Sequence, residues 1–258
     1  MTDAYYRRID ANTFEPTLHT QGAWQGHEQH MAVASALMAA MIEQHEPRDN
    51  LQIARITWEI FGMIPLAPSH VEVTTIRPGR TIELLEATLT IESRVIIRAR
   101  AWRLAMSDTS AYAGSELPTM DGPEAGAVED ATLTWPGGYI ASLITRELPG
   151  GRPGRRQVWL KTHPTLIEGE EVGALAELVT RCDTANGIAV RIDPKKLMYP
   201  NVELSLHLVR APRRGWVGLD TAVTFGPTGL GLTSSTIHDE DGPVGRVEQA
   251  LTVREFPA

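Results

Sequence analysis

The same order of segments occurs twice in this chain: one apolar helix, then four strand-like stretches separated by turns. In the first half "MAVASALMAAMIEQH" places Ala34, Leu37, Met38, Met41 and Ile42 at helical spacing, and the pattern stops before Pro47. The stretches "ARITWEIFG", "HVEVTTI", "RTIELLEATLTIES" and "RVIIRARAWRLA" follow, alternating or rich in β-branched residues. In the second half "EEVGALAELVTRCDTANG" aligns Val172, Leu175, Ala176, Val179 and Cys182. Glu170 and Glu171 suit the positive N-terminal end of that helix, and Gly187 suits its C-terminal stop. Four stretches follow again: "NVELSLHLVR", "GWVGLDTAVTFG", "GLGLTSSTIHDE" and "PVGRVEQALTVRE". A short strand precedes each helix, "AYYRRI" in one half and "QVWLKT" in the other. A single apolar helix beside one antiparallel sheet buries all its sides only if the sheet wraps it. Two such units can join edge to edge and so remove two exposed edges. The expectation is an α+β fold of two tandem helix-wrapped antiparallel sheets joined into one continuous sheet.

The halves are expected at residues 1–105 and 138–258, with an acidic Gly- and Pro-containing linker at 106–137. Residues 106–135 contain six acids and no Lys, Arg or His. The net charge of -8 argues against a nucleic-acid partner, whose phosphates need clustered Lys and Arg. The one cysteine, Cys182, allows no intrachain disulfide and falls on the apolar helical stripe, as an inert buried thiol would. No apolar run approaches the roughly 20 residues of a membrane span, and the N-terminus lacks an apolar signal core. A soluble, cytoplasmic protein without a membrane partner is expected.

Three stretches of the second half carry a resemblance to a known family: "NVELSLHLVRAPRRGW", "GLDTAVTFGPTGLGLTSSTIHDEDG" and "VGRVEQAL". In the first half "GAWQGHEQHMAVASALMAA" and "VTTIRPGRTIELLEATL" add to it. The chain resembles the acyl-CoA thioesterase II family, whose fold is the double hotdog. The resemblance implies hydrolysis of an acyl thioester, fatty acyl-CoA or a related pantetheine-linked thioester, by water held between an Asp, a Thr and a Gln, with no metal, no cofactor and no covalent intermediate. Carried over residue by residue, the Gln falls on Gln249 and the Thr on Thr224. The acid falls on Glu203, where this chain has Glu for the family's Asp, and Asn201 is the reserve for that position. The Gly-rich approach "GAWQG" supplies Gly22, Gln25 and Gly26 as substrate-binding candidates; as plain structure, its glycines let the chain turn into the helix. The resemblance also implies a homodimer or higher homo-oligomer.

Other constellations lead elsewhere. Glu203, Ser205 and His207 alternate on one strand face, but i and i+2 neighbours stand roughly 7 Å apart, whereas a Ser–His–acid triad needs direct hydrogen bonds. They read as the polar side of a sheet. His27 and His30 in "HEQH" are three residues apart, not the four of a helical zinc pair, and read as a solvated helix start. Two further readings stay open: an acyl-thioester binding protein without turnover, and a hotdog enoyl-thioester hydratase or dehydratase, for whose Asp–His pair His27 is the best candidate.

Overall fold

The structure, a computed structural model, describes residues 3–256. The first half runs β1 (Ala4–Arg8), β2 (Thr13–Pro16), α1 (Met31–Gln44), β3 (Leu51–Ile60), β4 (Ser69–Arg77), β5 (Ile82–Ile91) and β6 (Arg94–Ala105). A connecting segment carries β7 (Ala127–Glu129). The second half runs α2 (Gly138–Ala141), β8 (Leu143–Glu147), β9 (Arg155–Thr162), β10 (Thr165–Ile167), α3 (Ala174–Cys182), α4 (Ala185–Ile188), β11 (Glu203–Leu208), β12 (Val217–Phe225), β13 (Leu230–Asp239) and β14 (Gly242–Thr252).

Among the described residues these 14 strands form one sheet, ordered β10-β1-β2-β4-β5-β6-β3-β11-β14-β13-β12-β9-β8-β7. The halves join where β3 and β11 pair antiparallel, setting Leu204 opposite Trp58 and Leu206 opposite Ile56. All four side chains are buried, so one face of the seam is core. The other face carries Glu203, Ser205 and His207 opposite Glu59, Thr57 and Arg55. β10 follows β9 in sequence yet pairs in parallel with β1, so the halves also interlock at the far edge.

The sheet wraps two antiparallel helices. His30 at the start of α1 meets Asp183 at the end of α3, and Glu43 in the last turn of α1 accepts the Ala176 N–H at the start of α3. Every residue of α1 from Met31 to Ile42 is buried, which is why its sequence is apolar on all sides rather than on one stripe. Its C-terminal carbonyls are taken by Arg103 of β6, whose side chain is 5% exposed. Arg103 donates to the carbonyls of Ile42, His45 and Glu46 and to the Glu83 carboxylate.

Two sequence expectations about α3 are corrected. The helix begins at Ala174, so Glu170 and Glu171 lie before it, where they pair with Arg8 and Arg214. The helix stops after Cys182, and Gly187 lies inside α4 instead of ending α3. Cys182 is fully buried, and burial raises its thiol far above the usual range.

The acidic connecting segment is a strap. On the outer face of the second half the Trp159 indole N–H donates to the Asp121 carbonyl at 2.7 Å, and His238 Nε2 donates to the Pro118 carbonyl at 2.9 Å. The segment then adds β7 to the edge strand β8 and turns inward at residues 131–135. No helix among the described residues is long and apolar enough to cross a membrane.

Candidate active site

The site begins where α3 breaks. Asp183 is the C-terminal cap of α3, a position where the helix dipole disfavours negative charge, and its side chain is only 7% exposed. Its Oδ1 accepts from Asn201 Nδ2 at 2.8 Å and from Gln249 Nε2 at 2.9 Å. Burial pushes the carboxyl up to about 6, and the two amide hydrogen bonds hold it from going higher. With Oδ1 saturated, Oδ2 is the oxygen left for chemistry, and it lies 3.5 Å from His30 Nδ1.

His30 caps the other helix. Its Nδ1 accepts the Ala32 N–H at 3.1 Å, which satisfies one of the free donors of the α1 N-terminus and leaves the ring proton on Nε2. Burial lowers the imidazole to about 3, so the ring is neutral and the contact with Asp183 is not an ion pair. The ring packs on Tyr139 with centroids 4.2 Å apart. The helix starts here as the sequence predicts, but the start is not solvated: the His30 side chain is 14% exposed.

Gln249 and Asn201 reach Asp183 from the sheet. Gln249 is fully buried on β14. Asn201 faces inward because the register slips. On the β11–β14 register, in which Ser205 faces Glu248, Asn201 would face Thr252; it bridges Leu251 instead. A one-residue slip turns a side chain to the other face of a sheet.

Glu203 and Thr224 do not join this cluster. Residues opposite one another in a ladder share a face. Val223, Thr233 and Gln249 are paired in a row, and so are Thr224, Leu232 and Ala250, one step along and therefore on the other face. Thr224 is accordingly exposed. Glu203 also lies on that outer side, accepting from the Ala250 N–H at 2.7 Å and from Ser205 Oγ at 2.8 Å. The threonine beside Gln249 is Thr233, fully buried, with no hydrogen-bond partner for its hydroxyl.

The cluster opens into a cavity of about 450 Å3 lined by His30, Asp183 and Asn201, by the indoles of Trp24 and Trp135, and by Leu143 and Leu160 among others. Of the "GAWQG" loop, Ala23 and Trp24 line the cavity; Gly22, Gln25 and Gly26 do not. Those three hold the loop's shape. A Cβ on Gly22 would meet the Glu28 side chain at 2.7 Å, the N–H of Gln25 donates to Glu28 Oε1, and Gln21 Nε2 donates to the Gly26 carbonyl. Trp24 stands edge-on to Trp135, centroids 4.9 Å apart. Among the described residues no group of three or more His, Cys, Asp or Glu side chains is placed to hold a metal ion.

A buried carboxylate oxygen beside a cavity with both apolar and polar walls is suited to binding and deprotonating one water. Residues 20–104 match the acyl-CoA thioesterase N-terminal domain, and residues 116–253 match the acyl-CoA thioesterase C-terminal domain. No curated protein is significantly similar to the chain in sequence. A hot-dog-fold protein of Alicyclobacillus acidocaldarius superimposes with a TM-score of 0.78 at 15% identity, covering 99% of this chain and 98% of the other. An acyl-CoA thioesterase II of Mycobacterium marinum does so with a TM-score of 0.67 at 15% identity, covering 97% and 96%. A tesB protein of Mycobacterium avium subspecies paratuberculosis gives 0.66 at 14%, covering 96% and 95%.

Proposed function

The chain belongs to the acyl-CoA thioesterase family, and we propose that it hydrolyses an acyl-CoA by direct attack of water, with Asp183 as the general base. The observation that carries this reading is the division of labour on one carboxylate: Oδ1 fixed by Asn201 and Gln249, Oδ2 left facing the cavity wall at His30. A water on Oδ2 gives its proton to Asp183 as its oxygen attacks the thioester carbonyl. The tetrahedral oxyanion collapses, the C–S bond breaks, and the departing thiolate takes the proton from Asp183. The products are a carboxylic acid, which ionises in water, and free CoA thiol. His30, neutral with its proton on Nε2, is a donor that can face the oxyanion without itself ionising. The indole-lined part of the cavity, with Leu143 and Leu160, receives the acyl group.

The His30–Asp183 contact also favours a second reading, an enoyl-thioester hydratase built on an acid–imidazole pair. Against it, His30 spends Nδ1 on the α1 cap, and burial strips its basicity.

The test is thiol release from a panel of acyl-CoAs, run beside hydration of enoyl-CoAs. A single turnover in 18O-labelled water is expected to place the label in the released acid and none in Asp183. Label in Asp183 would mean a covalent acyl-enzyme, and hydration without thiol release would mean the second reading is right. The pH profile follows from the same carboxyl: its raised value makes kcat/KM rise with pH to a plateau, half-maximal near pH 6, because the base works only when deprotonated.

A further inference from the structure

One end of the cavity is polar, and nothing in the hydrolytic step uses it. Thr145 of β8 stands between Glu129 of β7 and Leu160 of β9 in one cross-strand row, and all three line the cavity. Thr145 is 3% exposed and its hydroxyl has no hydrogen-bond partner. A buried hydroxyl without a partner costs free energy that a ligand group can recover. Beside it Arg156, another lining residue, pairs with Glu129 at 3.0 Å and with Glu147 at 3.2 Å.

We infer that this end reads a hydroxyl group on the acyl chain, with Thr145 as the specificity-determining residue; the inference rests on the thioesterase reading. The charges choose the class of substituent. Two carboxylates share one guanidinium, so the corner carries an excess negative charge and opposes a carboxylate or phosphate. That excludes a dicarboxylic acyl group, and it turns the phosphates of CoA away from this end. The other lining segment, Asp193–Lys195, offers the exposed cation Lys195 for them. A neutral hydroxyl fits: it can donate to Glu129 or Thr145 and accept from Thr145 or Arg156. An unsubstituted alkyl chain leaves Thr145 buried and unpaired, and a site built for a hydroxyl rejects an analogue that lacks it.

The experiment compares kcat/KM for monohydroxylated acyl-CoAs, their unsubstituted counterparts and dicarboxylic acyl-CoAs of matched length. Native protein, Thr145→Val and Thr145→Ser are each assayed. In the native protein at least one hydroxylated substrate is expected to be favoured about tenfold or more over its counterpart, with the dicarboxylic substrates disfavoured. Thr145→Val keeps the side-chain shape. It should bring the ratio to near unity by slowing only the hydroxylated substrate, and Thr145→Ser should restore it. An equal loss on both substrates would put Thr145 against the pantetheine arm and overturn the inference. So would hydrolysis with no preference for any hydroxylated chain, which leaves the thioesterase reading standing. Failure to hydrolyse any acyl-CoA would overturn both.

Discussion

Asp183→Asn is expected to lower kcat/KM for acyl-CoA hydrolysis by about 10^2- to 10^4-fold, the range of a lost general base, while making the protein more stable at neutral pH. Asparagine keeps an Oδ1 to accept from Asn201 and Gln249 and carries no charge into the buried site. The sign of the stability change follows from linkage. The Asp183 carboxyl is raised from 3.8 to about 6 on folding, so the folded state holds its proton over a window where the unfolded chain has lost it. That stabilising contribution is complete below pH 3.8 and is lost as the pH rises through 6. Above this window the ionised acid is a burden of up to about 3 kcal/mol, which the amide removes. Thermal unfolding at pH 8 and at pH 4 measures it: the variant's advantage should be present at pH 8 and shrink at pH 4. A folded variant that stays active would sink the assignment of Asp183, and an unfolded one would overturn the stability expectation.

Arg103→Met is expected to cost about 3–5 kcal/mol of stability, the range for breaking a buried ion pair from one side. The substitution strands the Glu83 carboxylate, 7% exposed, and frees the carbonyls of Ile42, His45 and Glu46 at the end of α1. Arg48, at 2.9 Å from Glu83, softens the loss but reaches none of those carbonyls. For a chain of this size the midpoint of thermal unfolding should fall by roughly 10 °C. Adding Glu83→Leu should recover part of the loss, because the stranded charge is then gone. A drop of under 2 °C in the single variant would show that the α1 C-terminus is held by something else.

The duplicated helix-and-meander order is legible because its signals are local: an unbroken apolar run along α1, a 3.6-residue period along α3 and a period of 2 along the strands. Of the residues the resemblance implies, Gln249 and the reserve Asn201 meet on one carboxylate, that of Asp183. What stayed hidden depends on pairing. That Thr224 faces away from Gln249 is set by the β12–β13–β14 register, and that Asn201 turns inward by a slip between β11 and β14. Neither is written in a single strand. Asp183 sat inside a stretch read as one helix running to Gly187, yet a signal was there: an acid at the C-terminal end of an apolar helix breaks the local rule for charge placement, and such breaks gather at functional sites. The helix start around His30 is visible in the sequence, but the capping role and burial of His30 are not, because the burial depends on α3 and Tyr139, far away in sequence. The composition of residues 106–137 marks a linker; its contacts with Trp159 and His238, which make it a strap, depend on the fold.

Arg103 and Gln249 do the same geometric thing in the two halves. Each stands near the end of its meander's final strand, opposite Glu83 or Thr233 on the strand before it, and each reaches the C-terminal end of its own half's helix. In an assembly of two identical chains, any change at such a position arrives twice, so a site could not be dismantled without losing its twin. Fusion lifts that constraint. One position holds the helix end with a guanidinium, and the other sets an amide on the Asp183 carboxylate. The continuous chain thus lets a repeated architecture hold an asymmetric trade, a pinned helix end on one side and a buried carboxylate with a raised pKa on the other, and each can change without touching its counterpart.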